Sequence, residues 1–288
     1  MKKIVYLGYG LIFLLASCST DPVKTISYDE QLKKDVAAID AYLTSNSIKA
    51  VVDTSGVRYL VTSVGAGEIP TSTSKVYVSG KGKLLTTGAV FSDSKDTYFA
   101  VPLNDESYLL SWRIVFPHVK KGSLVTIYSP SGLAYGANSS PDGTLPANSN
   151  VIFELKLLDE VVQFKTDSTA IDAYLKKNNI TAVTDPTGIR YVIKVAGTGA
   201  KPIASSTIIF NYEGKFLATD ATFDKSTAPF TIALTNVIKG LQIGFPLISK
   251  GTKATFYIPS SLGYGPVASS TIPGNSNLIF DVELTDIQ

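Results

Sequence analysis

Residues 39–60, IDAYLTSNSIKAVVDTSGVRYL, recur as residues 171–192, IDAYLKKNNITAVTDPTGIRYV. A chain that repeats itself at this spacing folds as two copies of one unit, so a reading of either copy constrains the other. The offset of 132 holds to Phe91 and Phe223, falls to 129 at Phe116-Pro117 against Phe245-Pro246 and at Tyr135 against Tyr264, and ends at 127 in SNVIFELKL against SNLIFDVEL. Copy 1 therefore carries about three extra residues near 92–108 and two near 136–145, both in loop-like sequence.

Each unit opens on an amphipathic helix, because Ile39, Tyr42 and Leu43, like Ile171, Tyr174 and Leu175, fall at i, i+3 and i+4. In copy 2 the N-cap is expected at Asp167 or Ser168 and the stop at Asn178-Asn179. The pattern then changes to strands at residues 189–196, 207–214, 229–234, 253–259 and 277–287, separated by Gly, Pro, Asn and Ser. One stretch breaks the alternation: in 236–248, Val237, Leu241 and Phe245 recur every four residues, which reads as a short helix. The class is α+β, with the sheets antiparallel.

Residues 1–18 read as a targeting segment. Lys2 and Lys3 precede an apolar run, Ile4 to Leu15, that is short for a membrane span. Its end, Leu15-Ala16-Ser17-Cys18, resembles the lipobox of bacterial lipoproteins, whose cysteine is lipidated and becomes the mature N-terminus; the other reading is an ordinary secretory signal with an incidental cysteine. Cys18 is the only cysteine, so no disulfide exists within the chain. Residues 19–52 are then a polar tether and a helix, 53–160 a first domain, 161–184 a linker helix and 185–288 a second domain. The 26 basic and 24 acidic groups include Lys2 and Lys3, so the chain without the segment is close to neutral. Without clustered Lys and Arg, nucleic acid is not an expected partner. His118 is the only histidine; there is no metal-ligand spacing, phosphate loop or Ser/His/Asp signature.

Over residues 185–288, copy 2 resembles the FKBP-type peptidyl-prolyl isomerases. The stretches that carry the likeness are YEG (212–214), ATFDKS (221–226), PF (229–230), VIKGL (237–241), KG (250–251), LGYG (262–265), IPGNSNL (272–278) and FDVEL (280–284). The resemblance implies two domains, each an antiparallel sheet wrapped around a short helix. It implies a pocket walled by Tyr212, Phe223, Phe230 and Phe280, with Val237 and Ile238 at the rim and Leu241 where the family usually has a Trp floor. The Ile238 N–H and the Tyr264 hydroxyl are implied to bind substrate carbonyls, Asp224 to be the pocket carboxylate, and Ile272 to touch substrate from an overhanging loop. Asp224 is thus expected to be a carboxylate in an apolar pocket.

Copy 1 keeps Phe91, Leu109, Tyr135 and Phe153 of this set, and Trp112 supplies the floor residue that copy 2 lacks. Gly80 stands where copy 2 has Tyr212, and Ser92 where it has Asp224; Asp93, next door, replaces the carboxylate only if the loop shifts by one residue. The first copy therefore reads as a degenerate pocket with weak or absent activity. The implied chemistry needs no cofactor. Rotation about an X-Pro bond must break amide resonance, at about 18 to 20 kcal/mol, and a dry pocket that fits the twisted amide lowers that barrier without nucleophile, metal or proton transfer. Two functions follow: a folding enzyme for exported proline-containing polypeptides in the bacterial envelope, lipid-anchored through Cys18 in the outer membrane on a face left open, or a non-catalytic peptide-binding or structural lipoprotein subunit. The oligomeric state is left open.

Overall fold

The computed structural model describes residues 26–140, 142–269 and 271–288; the targeting segment and Cys18 lie outside them. The first unit runs α1 (Tyr28–Ser45), β1 (Val51–Val52), β2 (Arg58–Ser63), β3 (Lys75–Leu84), β4 (Val90–Asp93), β5 (Phe99–Pro102), α2 (Leu110–Val115), β6 (Leu124–Ser129) and β7 (Val151–Leu157). The second runs α3 (Glu160–Lys177), β8 (Val183–Thr184), β9 (Arg190–Val195), β10 (Thr207–Phe216), β11 (Thr222–Lys225), β12 (Phe230–Ala233), α4 (Lys239–Gly244), β13 (Lys253–Ile258) and β14 (Leu278–Ile287). The sheets have the same order, β1-β2-β6-β7-β3-β4 with β5 beside β3, and β8-β9-β13-β14-β10-β11 with β12 beside β10. Every pairing within them is antiparallel.

Alternation along the central strands decides what each face carries. Phe256, Ile258, Phe280 and Val282 point to one side, where α4 contributes Leu241 to the same core. Their neighbours Tyr257 and Ile279 point to the other side and meet Ile171 and Leu175 of α3. Copy 1 repeats the arrangement, with Tyr128 and Ile152 against Ile39 and Leu43 of α1. Each sheet is thus covered by a long helix on one face and a short helix on the other.

Helix α3 does not start at Asp167 or Ser168, as its sequence pattern leads one to expect. Its N-cap is Asp159, whose carboxylate accepts from the amides of Val161 and Val162, two turns earlier. The apolar spacing conceals this first stretch because Val161 is 78% exposed there. Asp167 instead lies buried within the helix, where its carboxylate accepts from the Ser260 amide at 3.0 Å, the Ser260 hydroxyl at 2.6 Å and the Gln163 side chain at 2.8 Å. Asp35 of α1 does the same with Ser131 and Gln31. A fork of two hydrogen bonds from Arg190 to Asp172, at 3.0 and 2.9 Å, and its equivalent from Arg58 to Asp40, fasten α3 to β9 and α1 to β2. The long helices are therefore parts of their domains, and the repeat extends back to Gln31 and Gln163.

Candidate active site

On β10, period-two alternation sends Phe210 and Tyr212 to the inner face, and cross-strand pairing sets Phe210 opposite Phe230 of β12. Leu241, at 4% exposure, and Phe280 from β14 close the bottom; Val237 and Ile238 enter from the start of α4, and Tyr264 from the turn after β13. These side chains, with Ile232, Asn236 and Asp224, line a cavity of about 200 Å³. Its aromatic wall is interlocked: Tyr212 lies 6.1 Å from Phe230 and 6.3 Å from Phe280, ring centre to ring centre. Phe230 at 44% and Tyr264 at 46% exposure stand open to solvent at the mouth. Large apolar side chains left exposed around a concave site are a binding signature.

Four polar groups converge on this cleft: the Tyr212 and Tyr264 hydroxyls, the Asp224 carboxylate and the Ile238 N–H. The Tyr212 hydroxyl donates to Asp224 Oδ2 at 2.8 Å. Burial of the phenol, followed by the bond to Asp224 and its charge, pushes the Tyr212 pKa up to about 12. Burial also raises that of Tyr264, again with help from the Asp224 charge. The main-chain N–H of Ile238, just ahead of α4, has no hydrogen-bond partner among the described residues. Its peptide is held in place by Gln242, whose side-chain amide donates to the carbonyls of Val237 at 2.8 Å and Thr235 at 3.0 Å.

Of the residues singled out in the sequence, Tyr212, Asp224, Phe230, Val237, Ile238, Leu241, Tyr264 and Phe280 line this one cavity. Two do not. Phe223 stands behind the wall, edge-on to Phe280 at 5.7 Å and to Tyr264 at 6.3 Å; Ile272 is buried outside the cavity. Asp224 also departs from the expectation of a carboxylate enclosed by apolar walls. It is exposed, because β11 is the edge strand of its sheet and carries Asp224 at the rim, where Tyr212 reaches it. Sequence reasoning missed Phe210, Ile232 and Asn236 as lining residues. The first two were signalled by alternation, each lying two positions from a residue already named.

The first unit has the same aromatic frame: Trp112 packs edge-on to Phe153 at 5.1 Å, and Phe91 packs edge-on to Tyr135 at 5.7 Å. Phe99, 5.8 Å from Trp112 and paired with Val78, occupies the place of Phe230 and was overlooked in the sequence. Strand register shows which polar groups are missing. Gly82 pairs with Ser92 as Gly214 pairs with Asp224, so Ser92 holds the carboxylate's place. Asp93 is one residue out of phase, faces Lys81 at 3.7 Å and caps the Lys95 amide at 2.9 Å. Gly80, at the place of Tyr212, has φ +151, and a Cβ there would lie 2.0 Å from the Glu154 carbonyl oxygen. The missing tyrosine is thus built into the backbone of the first unit.

Residues 67–158 and 199–285 each match the family of FKBP-type peptidyl-prolyl cis-trans isomerases. An FKBP-type peptidyl-prolyl cis-trans isomerase of Aeromonas hydrophila, FkpA, is 34% identical over 145 residues, which cover 46% of this chain and 53% of that protein. The protein of the same name in Escherichia coli K12 is 40% identical over 108 residues, covering 36% and 40%. The crystal structure of FkpA from Escherichia coli aligns with 44% of this chain and 63% of its own at 32% identity, with a TM-score of 0.39. The chain spans about half the length of the curated relatives it matches.

Proposed function

Because the chain belongs to the FKBP-type peptidyl-prolyl cis-trans isomerase family, with two segments in tandem, we propose that it accelerates cis/trans exchange of X-Pro bonds and that the cleft of the second unit does so. The observation that carries this reading is the meeting of an aromatic cleft of proline size with an unpaired backbone donor, Ile238 N–H. A proline ring seated among Phe210, Phe230, Leu241 and Phe280 leaves water, and the amide loses the solvent that favours its planar, polar ground state. The carbonyl ahead of the proline turns relative to the ring as the bond twists, and a fixed N–H favours the geometry it meets in the twisted state. Tyr264, at the lip of the same cavity, supplies a second hydroxyl, influenced by the Asp224 charge without a hydrogen bond to it. The Tyr212–Asp224 pair keeps one wall rigid and one rim negative, opposite the amide nitrogen as it loses resonance.

In the first unit, Gly80 and Ser92 in place of the pair favour a catalytically silent domain that binds peptide or serves as scaffold. A place in the bacterial envelope, with a lipid anchor on Cys18, draws its support from the lipobox-like Leu15–Cys18 alone. Exported proline-containing chains are the substrates this assigns. Magnetisation exchange in a short X-Pro peptide tests the proposal: the full chain raises the exchange rate, and Tyr212→Phe in the full chain lowers it about fivefold, as loss of one charge-assisted bond at a rim position implies. A spontaneous rate with the unaltered chain ends the enzyme reading in favour of a non-catalytic binder.

A further inference from the structure

Two contacts between the units bear on the cleft. The first is α3, whose beginning is rooted in the first unit by the Lys121–Glu160 ion pair at 2.9 Å and whose end is clamped to the second through Asp167 and Asp172. The second lies beside the cleft: Tyr98 of the first unit forms a parallel main-chain bridge with Val267 of the second.

Tyr98 closes the turn between β4 and β5, and that turn is a stiff finger. Lys95 and Asp96 both have positive φ, +46° and +64°. The Lys95 amide is capped by Asp93 at 2.9 Å, Thr97 N–H donates to the Ser94 carbonyl at 2.9 Å, and Ser94 is bonded in both directions to the backbone of Gly80, at 3.0 and 2.8 Å. Although it sits in a surface turn, Tyr98 is only 7% exposed, and it borders a cavity shared with Val162 and Thr166 of α3. From Ser92 to Phe99 the finger is one residue longer than its counterpart from Asp224 to Phe230. Val267, its contact, lies three residues beyond Tyr264 in the segment that leaves the cleft. That segment is tied to the second unit by Gly265 N–H on the Ser260 carbonyl and by Asn275 N–H on the Gly265 carbonyl, both at 2.9 Å. Between these ties and the Ser269 N–H bond to the Ile272 carbonyl, its outer side rests on the finger.

We propose that the first unit buttresses the cleft of the second, with Tyr98 as the positioning residue: its finger holds the 265–269 segment, and through it Tyr264, in the place where a proline-containing chain is bound. The assignment rests on the reading of that cleft as the peptide site, and it gives the unit that lacks the polar pair a task in binding at its neighbour's site. Two measurements on the full chain test it, amide hydrogen exchange at 265–269 and the affinity for an X-Pro peptide by NMR titration, and neither requires turnover. Tyr98→Ala is expected to speed exchange at 265–269 while leaving β10 and β14 protected, and to weaken peptide binding about fivefold. Val267→Ser, made from the second unit's side, gives the same two changes and serves alone if Tyr98→Ala does not fold. The double variant is no worse than either single one, because both loosen the same seat of the segment on the finger, Tyr98→Ala through the anchoring of the finger and Val267→Ser through the packing of the segment. Unchanged protection at 265–269, unchanged affinity despite lost protection, or additive effects each overturn the proposal. A chain that binds the peptide tightly in a Tyr98-dependent way and yet leaves the exchange rate spontaneous refutes the enzyme reading and not this one.

Discussion

The Ile238 amide provides a direct test of mechanism, because at this one position it can be removed with little disturbance of the backbone. Ile238 has φ −58 and ψ 152, and Val237 before it has φ −91 and ψ 168. Proline demands φ near −65° and an extended residue ahead of it, so Ile238→Pro fits the existing chain. The position precedes the first residue of α4, and its N–H has no partner among the described residues, so no fold-stabilising bond is lost with it. Ile238→Ala is the matched control, since both changes remove most of the side chain at the rim and only one removes the donor. A preorganised donor in an enclosed site is worth about 3 kcal/mol or more, while a bond with access to water is worth about 1 kcal/mol. With Phe230 and Tyr264 both more than two-fifths exposed, the cleft is of the open kind. The expected difference between the Pro and Ala variants is therefore about 1.4 kcal/mol, a tenfold slower exchange at saturating peptide. The assay is two-dimensional exchange NMR on a short X-Pro peptide, with the urea midpoint of each variant measured alongside. If Ile238→Pro is as fast as Ile238→Ala while both are as stable as the parent, the amide has no part in the reaction and desolvation alone carries it.

Removing the Asp167 carboxylate by Asp167→Ala leaves the Ser260 hydroxyl and the Gln163 side-chain amide without their acceptor and the Ser260 amide with Asn277 Oδ1 alone, at 3.1 Å, and about 2 kcal/mol of stability should go with it in urea unfolding; Asp35→Ala does the same in the first unit, where the Ser131 amide keeps Asn150 Oδ1. Gly80→Tyr does not transplant the missing wall: with a Cβ 2.0 Å from the Glu154 carbonyl oxygen it destabilises the first unit by more than about 2 kcal/mol and adds no isomerase rate. By contrast Gly88→Ala, with φ +70 and nothing within 4 Å, costs about 1 kcal/mol. Burial opposes the charge of Asp281, yet its bonds to Lys194, Thr255 and Lys215 hold its pKa below the usual carboxylate range. A depressed carboxylate contributes stability that is present above its unfolded pKa, about 4, and is lost as pH falls through the folded value. Asp281→Asn should therefore narrow its deficit against the parent as urea midpoints are followed from neutral pH down to about pH 3.

How much of the site was legible depends on the range of the interactions that make it. Alternation is local, so the strands of the second unit could be read in the sequence, whereas the walls Tyr212, Phe230 and Phe280 came from the resemblance carried by YEG, PF and FDVEL. The repeat added a second determination, because two copies of one pattern at a fixed offset admit only a paired fold, and copy 1 showed which polar groups a chain of this design can lose. The start of α3 was hidden because exposed valines fill its first turn and the buried Asp167 resembles a cap when its partner, Ser260, lies 93 residues away in sequence. The exposure of Asp224 follows from its strand being the last in its sheet, which no stretch of ten residues records. Gly80 reads as a mere substitution until the Glu154 carbonyl is placed against it across β3 and β7. The two-unit α+β plan was legible in the residues alone, since the repeat and the periodicities of two and near four run along the chain, and the apolar frame of each cleft was legible through the motifs that resemble the family. The packed sheets alone show that the carboxylate stands at the rim, that a side chain at Gly80 collides with the Glu154 carbonyl, and that the finger of the first unit meets the segment leaving the second cleft, because each depends on which distant segments come within a few ångströms.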